Sequence, residues 1–266
     1  MPRDDIHHRF TEHAIEPILF WLDNIGTTVT LTSQSVAWLF RKPFRVIQVI
    51  SAMEFIGVQS TFIVTLTGTF SGMVVALQTT HALRAFSAEG RVGGIVAVSL
   101  TREVAPVFAA IMVTARAGSA MAAELGNMRV TEQIDAITTM GVNPIQFLLS
   151  PRLLASVVVV PMLAVLYGFV GMVGAYLVSV LWLGGDRGIF MQSIRDFSET
   201  SDLAMGLTKA TVFGFLLSTI SCRHGFFAAG GARGVGLATT RAVVESCVAI
   251  LIANYLITQA MVEKMP

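Results

Sequence analysis

The chain predicts an all-α integral membrane protein. An N-terminal amphipathic helix lies at the membrane interface, about five transmembrane helices follow, and a short polar helix hangs between the second and third. Three observations carry this. Only 13% of the 266 residues are charged, whereas soluble domains run near a quarter. Mean hydropathy is +0.70, and several apolar runs reach the roughly 20 residues that cross a hydrocarbon core. Residues 99–152 then interrupt that pattern, with adjacent charges at Arg102 and Glu103 inside an apolar run and a polar, helix-favouring piece near 127–141, closed by Gly141 and Pro144.

Residues 1–14 form a polar tail whose His7 and His8 belong to no metal motif. From Ile15 the apolar positions Ile18, Leu19, Leu22, Ile25, Val29, Val36 and Phe40 recur at helical spacing, with Asp23, Asn24, Ser33 and Gln34 between them and Trp21 and Trp38 toward the ends. Such a helix lies in the interface rather than crossing it. Arg41, Lys42, Pro43 and Arg45 break it, and a short amphipathic piece runs on to Met53, so residues 1–54 form one unit and 55–266 the membrane domain.

The first span, 55–77, carries no charge, and its Gly68 and Gly72 form a GxxxG spacing suited to close helix approach at a dimer seam. The second, 92–115, holds Arg102 and Glu103. The third, 153–183, exceeds one crossing and contains Pro161 and Gly168, Gly171 and Gly174, predicting one long tilted or kinked helix. Residues 184–202 read as a charged loop with a short helix. The fourth span is 203–222, where Lys209 near the start snorkels to the headgroups. Residues 223–241 read as a flexible glycine-rich basic loop, and 242–262, with Glu245 near its beginning, is the fifth span. Cys222 and Cys247 read as small buried hydrophobes. Positive residues in short loops set orientation. Arg3, Arg9, Arg41, Lys42, Arg45, Arg116, Arg129, Arg152, Arg223, Arg233 and Arg241 outweigh Arg84, Arg91, Arg187, Arg195 and Lys264, which predicts a cytoplasmic N-terminus.

Several chemistries find no support. No GxxxxGK[ST] cradle, GxSxG elbow or HExxH pair occurs, and neither zinc-type cysteine spacing nor a basic tract points to metal or nucleic acid. Arg102 and Glu103 are the sharp feature, because ionisable groups inside a span are costly and face an interior or a wet cavity. Neighbours on a helix point about 100° apart, so each needs a further partner, a lipid headgroup or a residue of a second subunit. The alternative puts both at the outer interface. The helix near 130–140 sets Ile134 and Ile137 on one face and Glu132, Asp135 and Thr139 elsewhere. It is either a solvated loop helix or one that docks into a separate ATPase, and periodicity does not choose.

The runs LTGTFSGMVVALQ, SLTREVAPVFAAIMVTARAGSAMAAELGNMRVTEQIDAITTMGVNP and SPRLLA, with TTRAVVESCVAIL near the end, closely resemble the MlaE/YrbE family of ABC-transporter permeases, most strongly over residues 60–160. The resemblance implies a multi-pass permease of the bacterial inner membrane that works as a homodimer with cytoplasmic ABC ATPase subunits and a periplasmic MCE-domain protein. Its implied cargo is phospholipid, moved between inner and outer membranes. No cofactor is expected on this chain; ATP and Mg belong to the partner ATPase. By matched position, Thr131, Glu132, Gln133, Ile134 and Asp135, with Met140 and Gly141, correspond to the ATPase-coupling helix. Arg102 and Glu103 correspond to the lipid cavity at the dimer interface, with Val75, Gln78, Leu83, Phe86 and Val104 in its neighbourhood. Two other classes compete: an ion-coupled secondary transporter relaying through Arg102, Glu103, Lys209 and Glu245, and a lipid-modifying membrane enzyme, against which the lack of a nucleophile–base set counts.

Overall fold

The computed structural model describes residues 26–39 and 45–263, all helix and short connection, with no strand among them. The polar tail, Trp21, the apolar positions from Ile15 to Ile25, the Arg41–Lys42–Pro43 cluster and Lys264 lie outside the described residues. The elements are α1 (26–39), α2 (Val46–Arg84), α3 (Glu89–Val130), α4 (Gln133–Thr139), α5 (Ile145–Trp182), α6 (Arg187–Phe197), α7 (Thr200–Phe226) and α8 (Gly231–Val262). Five of these, α2, α3, α5, α7 and α8, are long and apolar enough to cross a membrane.

Several boundaries differ from the sequence expectation. The amphipathic piece at 46–53 joins the first span in one continuous rod. The second span does not stop near Arg116 but runs to Val130, so the polar helix begins only at Gln133 and residues 127–130 close α3. Inside α3 the Arg116 guanidinium donates to the Phe55 carbonyl and the Gln59 side chain of α2. A charge with acceptors on a neighbouring helix does not end a span. The glycine-rich stretch after Arg223 is not a flexible loop. Only Phe227–Gly230 connects, with Gly230 at φ 91° and Gly231 at φ 67°; Gly225 lies in the last turn of α7, and Gly234 and Gly236 in the first turns of α8.

Small residues decide how closely the rods pack. A Cβ on Gly72 would stand 2.0 Å from the Gly171 carbonyl oxygen, and one on Gly68 would stand 2.8 Å from Val170 Cγ2. The GxxxG pair thus faces α5 of the same chain, together with Gly171 and Gly174, and is not a seam open to a second copy. Gly93 and Gly94 play the same part where α3 meets α6, and the Gly94 amide donates to Ser193 Oγ at 3.0 Å. Pro161 lies within α5, whose helix continues through it, and Thr and Ser hydroxyls along the spans bond carbonyls one turn back, as groups without water must.

α3 and α7 run parallel: Thr101 meets Gly206 near their starts, and Ala122 meets Gly225 near their ends. At the latter end, α1 and α4 join the bundle through a small core of Leu31, Leu125, Ile134, Leu148 and Leu149. The Ser150 hydroxyl donates to the Ser35 carbonyl of α1 at 2.9 Å. α6 packs at the opposite end, against the first turns of α3.

Candidate functional site

Residues 202, 206 and 209 fall at i, i+4 and i+7, which is one face of α7. Gly206 permits the approach, because a Cβ there would stand 2.3 Å from the Thr101 carbonyl oxygen. The two polar side chains flanking it therefore meet α3 at close range. Opposite them, residues Leu100–Val104 form a π-helical turn, a widening common at functional sites.

Within this contact Arg102 Nε donates to Asp202 Oδ1. Asp202 is buried, and its other oxygen accepts from the Glu199 amide at 2.9 Å, closing a reciprocal cap at the start of α7. Lys209, with its side chain 0% exposed, donates to Glu103 Oε1 at 2.5 Å, to Thr258 Oγ1 at 2.8 Å and to the Arg102 carbonyl at 3.1 Å. Asn254 Nδ2 donates to Glu103 Oε2 at 3.2 Å, while Asn254 Oδ1 is buried without a partner. Glu103 remains 39% exposed. The network thus links α3, α7 and α8, two cations against two carboxylates, with one carboxylate opening outward.

Beside it a crevice of about 260 Å³ runs between α3, α5 and α7, lined by Thr101, Pro106, Gly168, Phe169, Leu203 and Gly206 among others. Its walls are apolar but for the threonine, which suits an acyl chain rather than an ion.

The partners of Arg102 and Glu103 are thus in the same chain. Lys209 does not snorkel to the headgroups: a fully buried ammonium is held by a carboxylate, a hydroxyl and a carbonyl instead. Asp202 belongs to a helix cap rather than a loop. Asn254 and Thr258 escaped the sequence reading, although two polar residues one turn apart in an apolar helix are a usable signal. Glu245 stands elsewhere, 2.7 Å from His224 Nε2 and 3.5 Å from Arg223 Nη1. Lys209 and Arg223 lie 14 residues apart on α7, roughly 21 Å at 1.5 Å per residue, so the four-residue relay is not contiguous. Val75, Leu83 and Val104 pack on the core that joins α2, α3 and α6, while Gln78 and Phe86 are exposed; none of the five lines the crevice.

At the far end Ile134 is buried and Ile137 half-buried, anchoring α4, while Thr131, Glu132, Gln133, Asp135, Met140 and Gly141 are exposed. Glu132 takes a left-handed conformation, φ 60°, at the turn from α3 into α4, and Gly141 another, φ 77°, at its exit. Arg129 Nη1 donates to Asp135 Oδ1 at 2.6 Å, tying the two helices. The result is a short protruding helix with an apolar root and a polar outer surface.

Comparison with known proteins agrees with this architecture. The family model for Permease MlaE matches residues 49–260. A probable ABC transporter permease protein of Rickettsia felis is 42% identical over 89% of this chain and 91% of its own length. One from Synechocystis is 36% identical over 95% of each. The protein of Haemophilus influenzae named intermembrane phospholipid transport system permease protein MlaE is 37% identical over 80% of this chain and 82% of its own. With its family match spanning all five long helices, the chain belongs to the MlaE family of ABC-transporter permeases.

Proposed function

We propose that this chain is the membrane subunit of a phospholipid transporter that works between the inner and outer membranes of a bacterium. Two copies form the path, a separate ABC ATPase supplies ATP and Mg, and a periplasmic MCE-domain protein exchanges lipid. The N-terminus and α4 face the cytoplasm, and the ATPase engages the exposed surface of α4 through Glu132, Gln133 and Asp135.

The observation that carries this reading is the pairing of chemistries at one place. A cation-and-carboxylate network, with Glu103 partly open and Asn254 Oδ1 unpartnered, lies beside an apolar crevice. A phospholipid needs both, polar groups for its headgroup and an apolar lane for its tails. ATP hydrolysis shifts α4, and α3 transmits the movement, since one continuous helix joins Arg102 and Glu103 to the residues next to α4.

Co-purification from native membranes, followed by lipid mass spectrometry, tests the assignment. The wild-type chain brings down an ATPase subunit and phospholipid, whereas Glu132→Arg loses the ATPase and keeps the lipid. Wild-type protein that arrives with lipid but no ATPase refutes the coupled reading. It turns attention to gradient-driven uptake by the chain alone, for which Glu103→Gln is the decisive variant.

A further inference from the structure

At the α4 end of the bundle a second cavity, about 250 Å³, opens between α2, α3 and α5, with Gln48, Ser51, Phe55, Glu124, Phe147 and Arg152 among its walls. Its chemistry is unlike that of the apolar crevice. The Arg152 side chain is only 13% exposed; Nη2 donates to Glu124 Oε2 at 2.9 Å, and Nη1 is buried with no acceptor. Arg45, its guanidinium carbon 4.6 Å over the Phe147 ring, likewise has Nε buried and unpartnered. Arg116 donates to the backbone carbonyl of the wall residue Phe55 but does not itself line the cavity.

A buried charged donor left without an acceptor is costly, so one such donor in the cavity wall and a second stacked on the wall residue Phe147 mark the position of an absent acceptor. Two guanidinium groups, Arg152 in the wall and Arg45 stacked on the wall residue Phe147, against the single lining carboxylate of Glu124 make the site net positive. The first turn of α2, which supplies Gln48, carries no acidic residue, so the positive end of the helix adds to that field. On the outer face of the same turns Val46, Ile47 and Ile50 are exposed, Ile47 at 80%. Apolar side chains exposed beside the equally exposed Ser51 and Glu54 fit a segment at the boundary of hydrocarbon and headgroups, with the cavity at headgroup depth.

We propose that this cavity binds the phosphate of an anionic phospholipid from the leaflet on the α4 side, held by Arg152 and Arg45. Inorganic phosphate offers the same oxygens, but the apolar outer face sets the mouth among lipids. The site is separate from the Glu103–Lys209 network. Glu103 and Glu124 are 21 residues apart on α3, roughly 32 Å, and the proposal does not rest on transport.

The test uses the purified full-length chain in nanodiscs of mixed phosphatidylglycerol and phosphatidylcholine, with the retained lipid counted by native mass spectrometry. Phosphatidylglycerol is enriched over its bulk share by about tenfold, the worth of one charge-assisted hydrogen bond. Arg152→Gln abolishes the enrichment, and so does Ser51→Phe, which fills the cavity and leaves every charge in place. Enrichment that survives Ser51→Phe overturns the proposal, even where Arg152→Gln does not fold. Inorganic phosphate that stabilises lipid-free protein and displaces phosphatidylglycerol makes free phosphate the occupant and overturns the lipid assignment.

Discussion

The Glu103–Lys209 pair is asymmetric, and the asymmetry has a measurable consequence. Glu103→Gln leaves the fully buried Lys209 ammonium with only neutral oxygens around it, those of Thr258, the Arg102 carbonyl and the new amide. Removing one partner of a buried pair costs about 3–5 kcal/mol. Lys209→Met strands the carboxylate instead, but Glu103 is 39% exposed and keeps its bond from Asn254. Water in a wet cavity solvates that flank, and the cost falls to about 1–3 kcal/mol. The double variant Glu103→Gln/Lys209→Met removes both charges and is more stable than Glu103→Gln alone, with a coupling energy of about 2–3 kcal/mol. Equilibrium unfolding by denaturing detergent in mixed micelles measures all three. Should Lys209→Met prove the more damaging single change, Glu103 faces hydrocarbon and the wet-cavity argument fails. Additive costs would show that the two groups do not form an energetic unit.

The remaining predictions concern packing, caps and the turn into α4. Gly72→Ala drives a Cβ into the Gly171 backbone, so detergent unfolding should register a loss of at least 1–3 kcal/mol. Gly236→Ala, with open space around it in α8, gains about 0.5–1 kcal/mol in the same assay. Asp202→Ala removes both the Arg102 partner and a reciprocal cap, costing about 1–3 kcal/mol. Hydrogen exchange should place that loss in the first turn of α7; protection equal to wild type there refutes the capping role. Glu132→Gly relieves the left-handed backbone strain by about 1 kcal/mol, so α4 amides exchange more slowly, while the missing carboxylate weakens ATPase capture. Unchanged capture removes Glu132 from the coupling surface.

How much of this was legible follows from what a hydropathy pattern encodes. Long apolar runs announce spans because length against bilayer thickness is a one-dimensional property, and the five spans emerged in order. The ends were harder. Arg116 looks like a stop signal, and only its acceptors on α2, 57 and 61 residues away in sequence, explain why the helix continues. The Gly68–Gly72 spacing announces close approach but not the partner, since one surface fits a second copy or a helix of the same chain equally well. The chemistry of the site was visible only in part. Arg102 and Glu103 stand out because charge inside a span is rare, whereas Asp202 sits at an apolar boundary where charge is ordinary, and Lys209 near a span end has a cheaper alternative in snorkelling.

What sequence spacing does contain, once the pairing of helices is known, is the logic of the network. Along α7 the order Asp202, Gly206, Lys209 is a single face with its smallest member in the middle. The glycine brings the α3 backbone within contact of α7, so the side chains above and below it are too close to a low-dielectric interior to stay unpaired. α3 answers with two adjacent residues of opposite sign. Side chains on a helix lean toward its N-terminus, and Arg102 reaches back to Asp202. Glu103, about 100° further round the helix, meets Lys209 and the polar pair of α8. A π-helical turn at this point alters the angle between them locally. Two neighbours that cannot satisfy each other therefore bind one helix at two heights and draw in a third. An opening of Glu103 toward a headgroup must be felt at once by α3, α7 and α8, because its carboxylate is bonded to Lys209 on α7 and to Asn254 on α8.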